Sequence, residues 1–116
     1  MANPNLLNLT SIKLDNDVHT LGTSTGVLMA AASNQVIKII SLYLANKSAA
    51  TVSATITATE SSTTINLDYQ VDITQESTLQ LITKDAPIVL TENDYISGLA
   101  SAATSIDVFV SVEKME

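Results

Sequence analysis

His19 is the only histidine of the chain, and Asp15 and Asp17 lie close to it in sequence. An imidazole held by a carboxylate is the pair that activates a serine hydroxyl in many hydrolases. Such a site needs specific partners around the ring, which spacing alone does not supply, so a lone histidine in a surface loop is the favoured interpretation. Since the chain also has no cysteine and no convergent acid pair, hydrolysis is the weakest of the function classes considered.

Two acidic pairs, Asp15/Asp17 and Glu92/Asp94, could in principle bind calcium. The first lacks the glycine and the distant glutamate of a calcium loop, so a solvated turn is the preferred interpretation. None of the three glycines has the spacing of a phosphate-binding loop: Gly22, Gly26 and Gly98. We therefore expect no catalytic residues, no cofactor and no metal, and Gly98 is interpreted as a bulge or turn residue.

The charge balance argues against nucleic acid as a partner. The chain has 12 acidic residues and 5 lysines, a net charge of −7, and the lysines are scattered singly. Phosphate recognition favours arginine forks and clustered lysines. No signal peptide and no apolar run of membrane-spanning length is recognised, so we expect a soluble protein. The absence of cysteine fits folding inside a cell.

Strict alternation of apolar and polar residues predicts β-strands. In Ile65–Ile73 the odd-numbered residues are apolar and the even-numbered residues are polar, which indicates a half-buried strand. Thr51–Thr59 repeats this pattern, with Ser or Thr on its exposed face. The two segments are predicted to pair as a hairpin with its turn at residues 60–62.

Further strands are predicted between short polar connectors such as residues 15–17, 46–48 and 92–93. A short helix is an alternative for residues 26–32, and Val36–Leu44 is predicted to be a central strand covered on both faces. The segments are Leu6–Leu14, Gly26–Ala30, Gln35–Ala45, Thr78–Thr83, Pro87–Leu90, Asp94–Gly98 and Ser105–Glu113.

About eight short strands in 116 residues predict an all-β fold. We expect a single small antiparallel β-sandwich domain over residues 1–116, jelly-roll or immunoglobulin-like in strand order. Residues 1–25 would form an N-terminal arm or the first strands, and residues 26–113 the core sandwich.

Phe109 is the candidate interface residue. Alternation in the last strand places Ile106, Val108, Val110 and Val112 on one face, and Phe109 on the other. If the first set forms the core, Phe109 points outward, and exposed large apolar groups often mark interfaces. The alternative is that both faces are covered within the monomer.

A glycan-binding module is a further alternative, with Tyr95 and Asp94 near a loop tip as its candidate residues. Sugar-binding platforms usually need exposed aromatic faces, and the chain has only three tyrosines and one phenylalanine. This shortage weakens the glycan-binding hypothesis.

Three stretches carry a resemblance to a known group: residues 35–46 (QVIKIISLYLAN), residues 86–96 (APIVLTENDYI) and the closing valine-rich strand 106–113. The chain resembles the small β-sandwich virion proteins of tailed bacteriophages, in which a segment of the type "ksiylaN" is followed by "piyLeaGDsi". The resemblance covers residues 26–113. Asn93 replaces the usual glycine before Asp94, and asparagine tolerates the left-handed backbone that such a turn requires.

The resemblance implies a non-enzymatic structural protein of a phage virion, assembled in the host bacterial cytoplasm. The first choice is a capsid decoration or cement protein that forms homo-oligomers and binds the major capsid protein or other virion proteins. Neck, tail and fibre-associated proteins are the alternatives. Neither nucleic acid nor membrane is expected as a partner.

Overall fold

The computed structural model describes residues 11–116, which form nine β-strands joined by turns and short loops. Within these residues no helix is long and apolar enough to cross a membrane. The strands are β1 (Ile12–Thr20), β2 (Gly26–Ala30), β3 (Val36–Asn46), β4 (Val52–Glu60), β5 (Thr63–Ile73), β6 (Thr78–Ile82), β7 (Ile88–Leu90), β8 (Tyr95–Ala100) and β9 (Ile106–Met115).

The strands form two antiparallel sheets. Sheet A has the order β1-β9-β3-β6, with β7 pairing β3 beside β6, and sheet B has the order β2-β8-β4-β5. When the two strand orders are compared position by position, β1 corresponds to β2, β9 to β8, β3 to β4 and β6 to β5. This nesting of consecutive strands is the double Greek key of a jelly roll. The predicted all-β sandwich is confirmed, and the strand order is that of a jelly roll.

The core is the aliphatic layer between the two sheets. Sheet A contributes alternate residues of β3 and β9, and sheet B contributes residues of β2, β4 and β8. Burial of such side chains is the main favourable term in folding. The fully buried aliphatic residues are Ile37, Ile39, Leu42, Leu44, Ile56, Ile96, Ile106, Val108, Val110 and Val112.

The beginning of the chain differs from the prediction. Leu6–Leu14 was predicted as a strand that ends in a turn at residues 15–17, whereas β1 continues through these residues to Thr20; Leu6–Thr10 lies outside the described residues. β1 is the edge strand of sheet A, and edge strands tolerate charged side chains that would be costly in the centre of a sheet. Residues 26–30 form the predicted strand and not a helix.

β4 and β5 form the predicted hairpin, and Ser61 and Ser62 at its turn both have positive φ (50° and 69°), as in a type I′ turn. The predicted buried face of β5 is wrong, because Ile65, Tyr69 and Val71 are exposed and only Ile73 is buried.

Two bulges in β5 explain part of this error, the exposure of Tyr69, whereas Ile65 and Val71 lie opposite Ala58 and Ala54 on the core side of this edge strand and are nevertheless exposed. Ala54 to Ile56 in β4 spans two steps while its partners Val71 to Asp68 span three, and a second extra residue follows at Leu67. An extra residue shifts the alternation of a strand by one position. Asp68 therefore lies opposite buried Ile56, on the core side of sheet B.

Gly98 lies in the middle of β8, where the prediction placed a bulge or turn, and its φ is not positive. A Cβ atom at this position would lie 2.7 Å from Cδ1 of Ile56 and 3.2 Å from methyl groups of Leu21 and Leu28. A larger residue here requires the ends of these core side chains to move.

Asn46 ends β3 at the corner between the two sheets, and its side chain is buried. Its Nδ2 donates hydrogen bonds to the carbonyl oxygens of Ala50 and Ile73, both at 2.8 Å. Its Oδ1 accepts from the backbone nitrogen of Ser48 at 2.9 Å and from the Ser48 hydroxyl at 2.7 Å. One side chain thus satisfies the polar groups of a turn and of a neighbouring strand.

Candidate assembly surface

The outer face of sheet A carries a row of exposed apolar side chains from three neighbouring strands. Val18 of β1 lies opposite Phe109 of β9, and Phe109 lies opposite Tyr43 of β3. Their exposed fractions are 66%, 43% and 38%. Large apolar groups grouped on a polar surface are typical of contact surfaces. We call Val18, Phe109 and Tyr43 the apolar row.

The alternation predicted for β9 explains the position of Phe109. Ile106, Val108, Val110 and Val112 are buried, so the odd-numbered neighbours of β9 face away from the core. Phe109 therefore points outward, as predicted. The prediction that β3 is covered on both faces is wrong, because Tyr43 of β3 is exposed next to Phe109.

A shallow depression of about 530 Å³ runs along the apolar row and ends at a group of polar side chains. Asp107 Oδ1 accepts hydrogen bonds from the Thr20 hydroxyl at 2.8 Å and from Lys47 Nζ at 3.1 Å. The hydrogen bond from Thr20, followed by that from Lys47, holds the pKa of the Asp107 carboxyl below its ordinary value. Asp107 is ionised at neutral pH, and this end of the depression is polar.

Among residues 11–116 no strand pairs with the outer side of β1, so this strand presents an open backbone edge next to the apolar row. Ser11 and Glu116 exchange both backbone hydrogen bonds (2.8 and 3.0 Å), and β1 and β9 then pair without a register shift. Hydrogen-bonded and non-hydrogen-bonded pairs alternate in an antiparallel ladder. The outward-directed amides and carbonyls therefore belong to the even-numbered residues: Ile12, Leu14, Asn16, Val18 and Thr20.

Two aspartates cap part of this edge. Asp15 Oδ1 accepts the amide of Asn16 at 2.9 Å, and Asp17 Oδ1 accepts the amide of Val18 at 3.1 Å. Lys114 Nζ lies 3.0 Å from Asp15 Oδ2; this hydrogen bond, followed by that from the Asn16 amide, lowers the pKa of Asp15. Charged groups that occupy edge amides discourage unspecific strand pairing.

His19 lies on β1 and not in a loop. Its Nε2 is 2.7 Å from the carbonyl oxygen of Leu28, and Asp17 Oδ2 is 3.3 Å away. A carbonyl oxygen only accepts, so Nε2 carries a hydrogen and donates a hydrogen bond to the carbonyl oxygen of Leu28. The ring thus links β1 of sheet A to β2 of sheet B. Of the two nearby aspartates, only Asp17 contacts the ring, because Asp15 contacts Lys114 instead.

The other acidic candidates hold turns together. Buried Asp94 accepts the Thr91 amide and hydroxyl through Oδ2 at 3.1 and 2.8 Å, and the Ser61 amide through Oδ1 at 3.4 Å. Glu92 Oε2 accepts the Asn34 amide at 2.6 Å. The carboxylate of Asp94 thus stabilises the 91–94 turn and offers little to a sugar. In the described part of the chain, no three His, Cys, Asp or Glu side chains are close enough to hold a metal ion together.

The carboxylate of Asp68 is partly buried, although the alternation pattern predicts that this side chain is exposed. Its Oδ1 accepts the Ile56 amide at 2.5 Å, whereas its buried Oδ2 has no hydrogen-bond partner among residues 11–116. Burial raises the pKa of Asp68, and the hydrogen bond from Ile56 opposes this only in part.

Replacing Asp68 with asparagine is expected to stabilise the protein at pH 7 by up to about 1 kcal/mol, after allowance for the partial exposure of the side chain. The pKa in the folded state lies above the ordinary value of 3.8, so the charged form weakens the folded state at neutral pH. This penalty disappears as the pH falls through the folded-state pKa toward 3.8. Urea denaturation at pH 7 and pH 4 should show a difference between Asp68→Asn and wild type that shrinks at pH 4.

Asp72→Asn is the matched control on the same strand, because the side chain of Asp72 is exposed. Equal unfolding free energies for wild type and Asp68→Asn at both pH values would show that the charge of Asp68 does not destabilise the folded state.

Comparisons with known proteins give a fold and no family. No family model and no curated protein sequence matches the chain. It is similar to a structure of Bacillus endospore appendages, described as a family of disulfide-linked pili, with a TM-score of 0.51 and 16% identity over 99% of this chain and 96% of that chain. A structure of the infectious bursal disease virus Gt strain aligns at a TM-score of 0.45 and 11% identity, over 92% of this chain and 33% of that chain.

The residues missed from the sequence are Val18, Tyr43 and the apolar edge residues of β1. Ile12, Leu14 and Val18 do alternate with polar residues, but the run Asp15-Asn16-Asp17 between them has the composition of a turn. Tyr43 is part of an almost continuous apolar strand, in which composition does not reveal the exposed face.

Proposed function

We propose that this protein is a non-enzymatic structural subunit that works by docking onto copies of itself or onto other subunits of a large assembly. The observation that carries this proposal is the apolar row on the outer face of sheet A, which continues into the open edge of β1. The similarity of nearly the whole chain to the fold of a pilus subunit supports it. The candidate hydrolase residues His19 and Asp17 are held in internal hydrogen bonds, which gives an enzymatic function no support.

The specific form we propose is a decoration or cement protein on the head of a tailed bacteriophage, with the major capsid protein as its partner and the virion as its location. This rests on the resemblance of residues 26–113 to small phage virion proteins. Exposed apolar side chains on a sheet face suit attachment to a capsid lattice, where affinity comes from desolvated contacts. Moderate salt should then weaken binding only slightly.

Phe109→Asp is expected to weaken binding to undecorated heads, or self-association through the apolar row, by on the order of 30-fold while leaving the fold intact. The substitution forces a charge into a contact that must be desolvated, at a position exposed in the monomer. Sedimentation of the free protein and co-sedimentation with heads measure the effect, and circular dichroism and thermal unfolding report on folding.

Tyr69→Asp is the matched control, since Tyr69 is an exposed aromatic residue on β5 of the other sheet. Normal assembly of a folded Phe109→Asp variant would remove the apolar row from the interface. Loss of assembly with Tyr69→Asp alone would move the interface to sheet B.

A filament subunit is the second candidate, favoured by the similarity to a pilus protein over 96% of that protein's chain. The present chain has no cysteine, so disulfide links of the kind named for that pilus cannot form here. Any filament would depend on non-covalent contacts. Electron microscopy of the concentrated protein should show the same filaments with and without reductant, whereas binding only to phage heads would favour decoration.

A further inference from the structure

We propose that two copies of this chain pair antiparallel through β1, with Leu14 of one protomer opposite Leu14 of its partner. The proposal deepens the proposed function, since it names a second copy as the occupant of the β1 edge. Three features of β1 favour a second copy as the occupant: the direction of the edge amides, the exposure of the apolar side chains and the order of charges along the strand.

The open edge and the exposed side chains belong to the same residues. Ile12 and Leu14 are 63% and 74% exposed, and with Val18 they share the face of sheet A that holds the apolar row. Their amides and carbonyls point away from β9, as the Ser11–Glu116 pair establishes. Addition of a strand here satisfies these backbone groups and covers apolar surface at the same time.

The charges on the opposite face of β1 select the register. With Leu14 on the two-fold axis, Ile12 lies opposite Asn16 of the partner and Lys13 lies opposite Asp15 of the partner. Both Lys13–Asp15 pairs are of opposite charge, and opposite charges across a strand pair are favourable. This register pairs residues 11–17 of the two protomers.

The neighbouring registers are worse. With Lys13 or Asp15 on the axis, that residue lies directly opposite its own copy, and with Asn16 on the axis Asp15 lies opposite Asp17 of the partner; like charges directly opposite are destabilising. With Val18 on the axis, only residues 16–20 pair, and the pairing brings in His19, whose ring is bonded to Leu28. The order of charges on β1 therefore favours the register with Leu14 on the axis over the neighbouring registers.

The aspartate caps fit this register. Asn16 must release its amide from Asp15 to pair with Ile12 of the partner, and Asp15 then gains Lys13 of the partner while it keeps Lys114. Val18 lies just beyond the paired segment and keeps its cap from Asp17. The caps thus block unselective strand addition and permit the matched one.

The consequence is a continuous sheet across the dimer, in the order β6-β3-β9-β1 of one protomer followed by β1-β9-β3-β6 of its partner. The two apolar rows then lie on one face of this sheet. A closed two-fold contact of this kind makes a dimer and no filament by itself.

Single cysteines test the register directly, because the chain has none of its own. In Leu14→Cys the two Cα atoms would lie about 5.5 Å apart across the axis, within disulfide range. In Asn16→Cys the two cysteines would be about four residues apart along the strands, roughly 13 Å, and out of reach. We expect mild oxidation to convert most of Leu14→Cys and little of Asn16→Cys to a covalent dimer.

Charge reversal gives an independent test. Lys13→Glu and Asp15→Lys should each weaken dimerisation by on the order of tenfold, and the double variant should recover most of the affinity because the cross-axis pairs are restored with reversed sign. Lys84→Glu makes the same charge change as Lys13→Glu on the exposed 83–87 loop and should leave dimerisation unchanged.

The outcomes separate this inference from the proposed function. Cross-linking of Asn16→Cys in place of Leu14→Cys, or of neither, overturns the β1 dimer, even if the wild type still binds heads through the apolar row. Covalent Leu14→Cys dimers that bind no lattice and form no larger assembly support the dimer and contradict the proposed function.

Discussion

Asn46→Ala is expected to lower the free energy of unfolding by about 3 kcal/mol, the largest effect anticipated for a polar residue of this chain. The buried side chain makes four hydrogen bonds at the β3–β4 corner. Its removal leaves the carbonyl oxygen of Ile73 without its donor and creates a small cavity. A buried acceptor without a partner costs about 1–3 kcal/mol, in addition to the lost bonds. Urea denaturation followed by circular dichroism measures the change.

Two further variants identify the cause. Asn66→Ala removes an exposed asparagine from β5 and should change stability by less than about 0.5 kcal/mol. Asn46→Asp preserves the volume but replaces the donor Nδ2 with an acceptor that faces two carbonyl oxygens. Asn46→Asp should therefore be at least as unstable as Asn46→Ala at neutral pH, and wild-type stability of Asn46→Asp would exclude the hydrogen-bond explanation.

Gly98→Ala is expected to destabilise the protein by about 1–3 kcal/mol through overpacking. The added methyl group would overlap Cδ1 of Ile56 at 2.7 Å and press against Leu21 and Leu28. Alanine in place of glycine in an unstrained strand normally has the opposite, mildly stabilising effect. The sign of the change is therefore informative, and thermal unfolding is sufficient to measure it.

Gly26 provides the control, because it lies directly opposite Gly98 on β2 and has open space around its Cα. Gly26→Ala should be neutral or slightly stabilising. Ile56→Val removes the methyl group that the new Cβ would meet, so the double variant with Gly98→Ala should be more stable than the sum of the two single effects. Strict additivity would contradict the proposed clash.

The parts of the fold that follow simple alternation could be predicted from the sequence. β9 has the predicted buried face, and in β4 Val52, Ala54 and Ile56 are buried as predicted, although Thr55 and Thr59 of the face predicted to be exposed are also buried. The outward position of Phe109 follows from the same period. The interface role proposed for Phe109 depends on an assembly, which the alternation pattern of one chain does not reveal.

The edge strands could not be predicted in the same way. In β5 the extra residues at Leu67 and Gln70 shift the alternation of inward and outward side chains twice, and Gln70 has a φ of 48°. No glycine or proline in this strand indicates the two bulges in the sequence. In β1 the Asp15-Asn16-Asp17 run has the composition of a turn, yet its carboxylates cap the free edge of an extended strand. Both errors arise because local composition does not show which strands lie at the edge of a sheet.

The pairing of β1 with β9 determines when this surface can form. Lys114 contacts Asp15 across 99 positions of the chain, and Asp107 contacts Thr20 across 87. Sheet A therefore closes only after β9 has been synthesised, and contacts so distant in sequence slow folding. A chain stalled on the ribosome before Ile106 has neither the apolar row nor a paired β1, so truncated products lack the surface proposed for assembly.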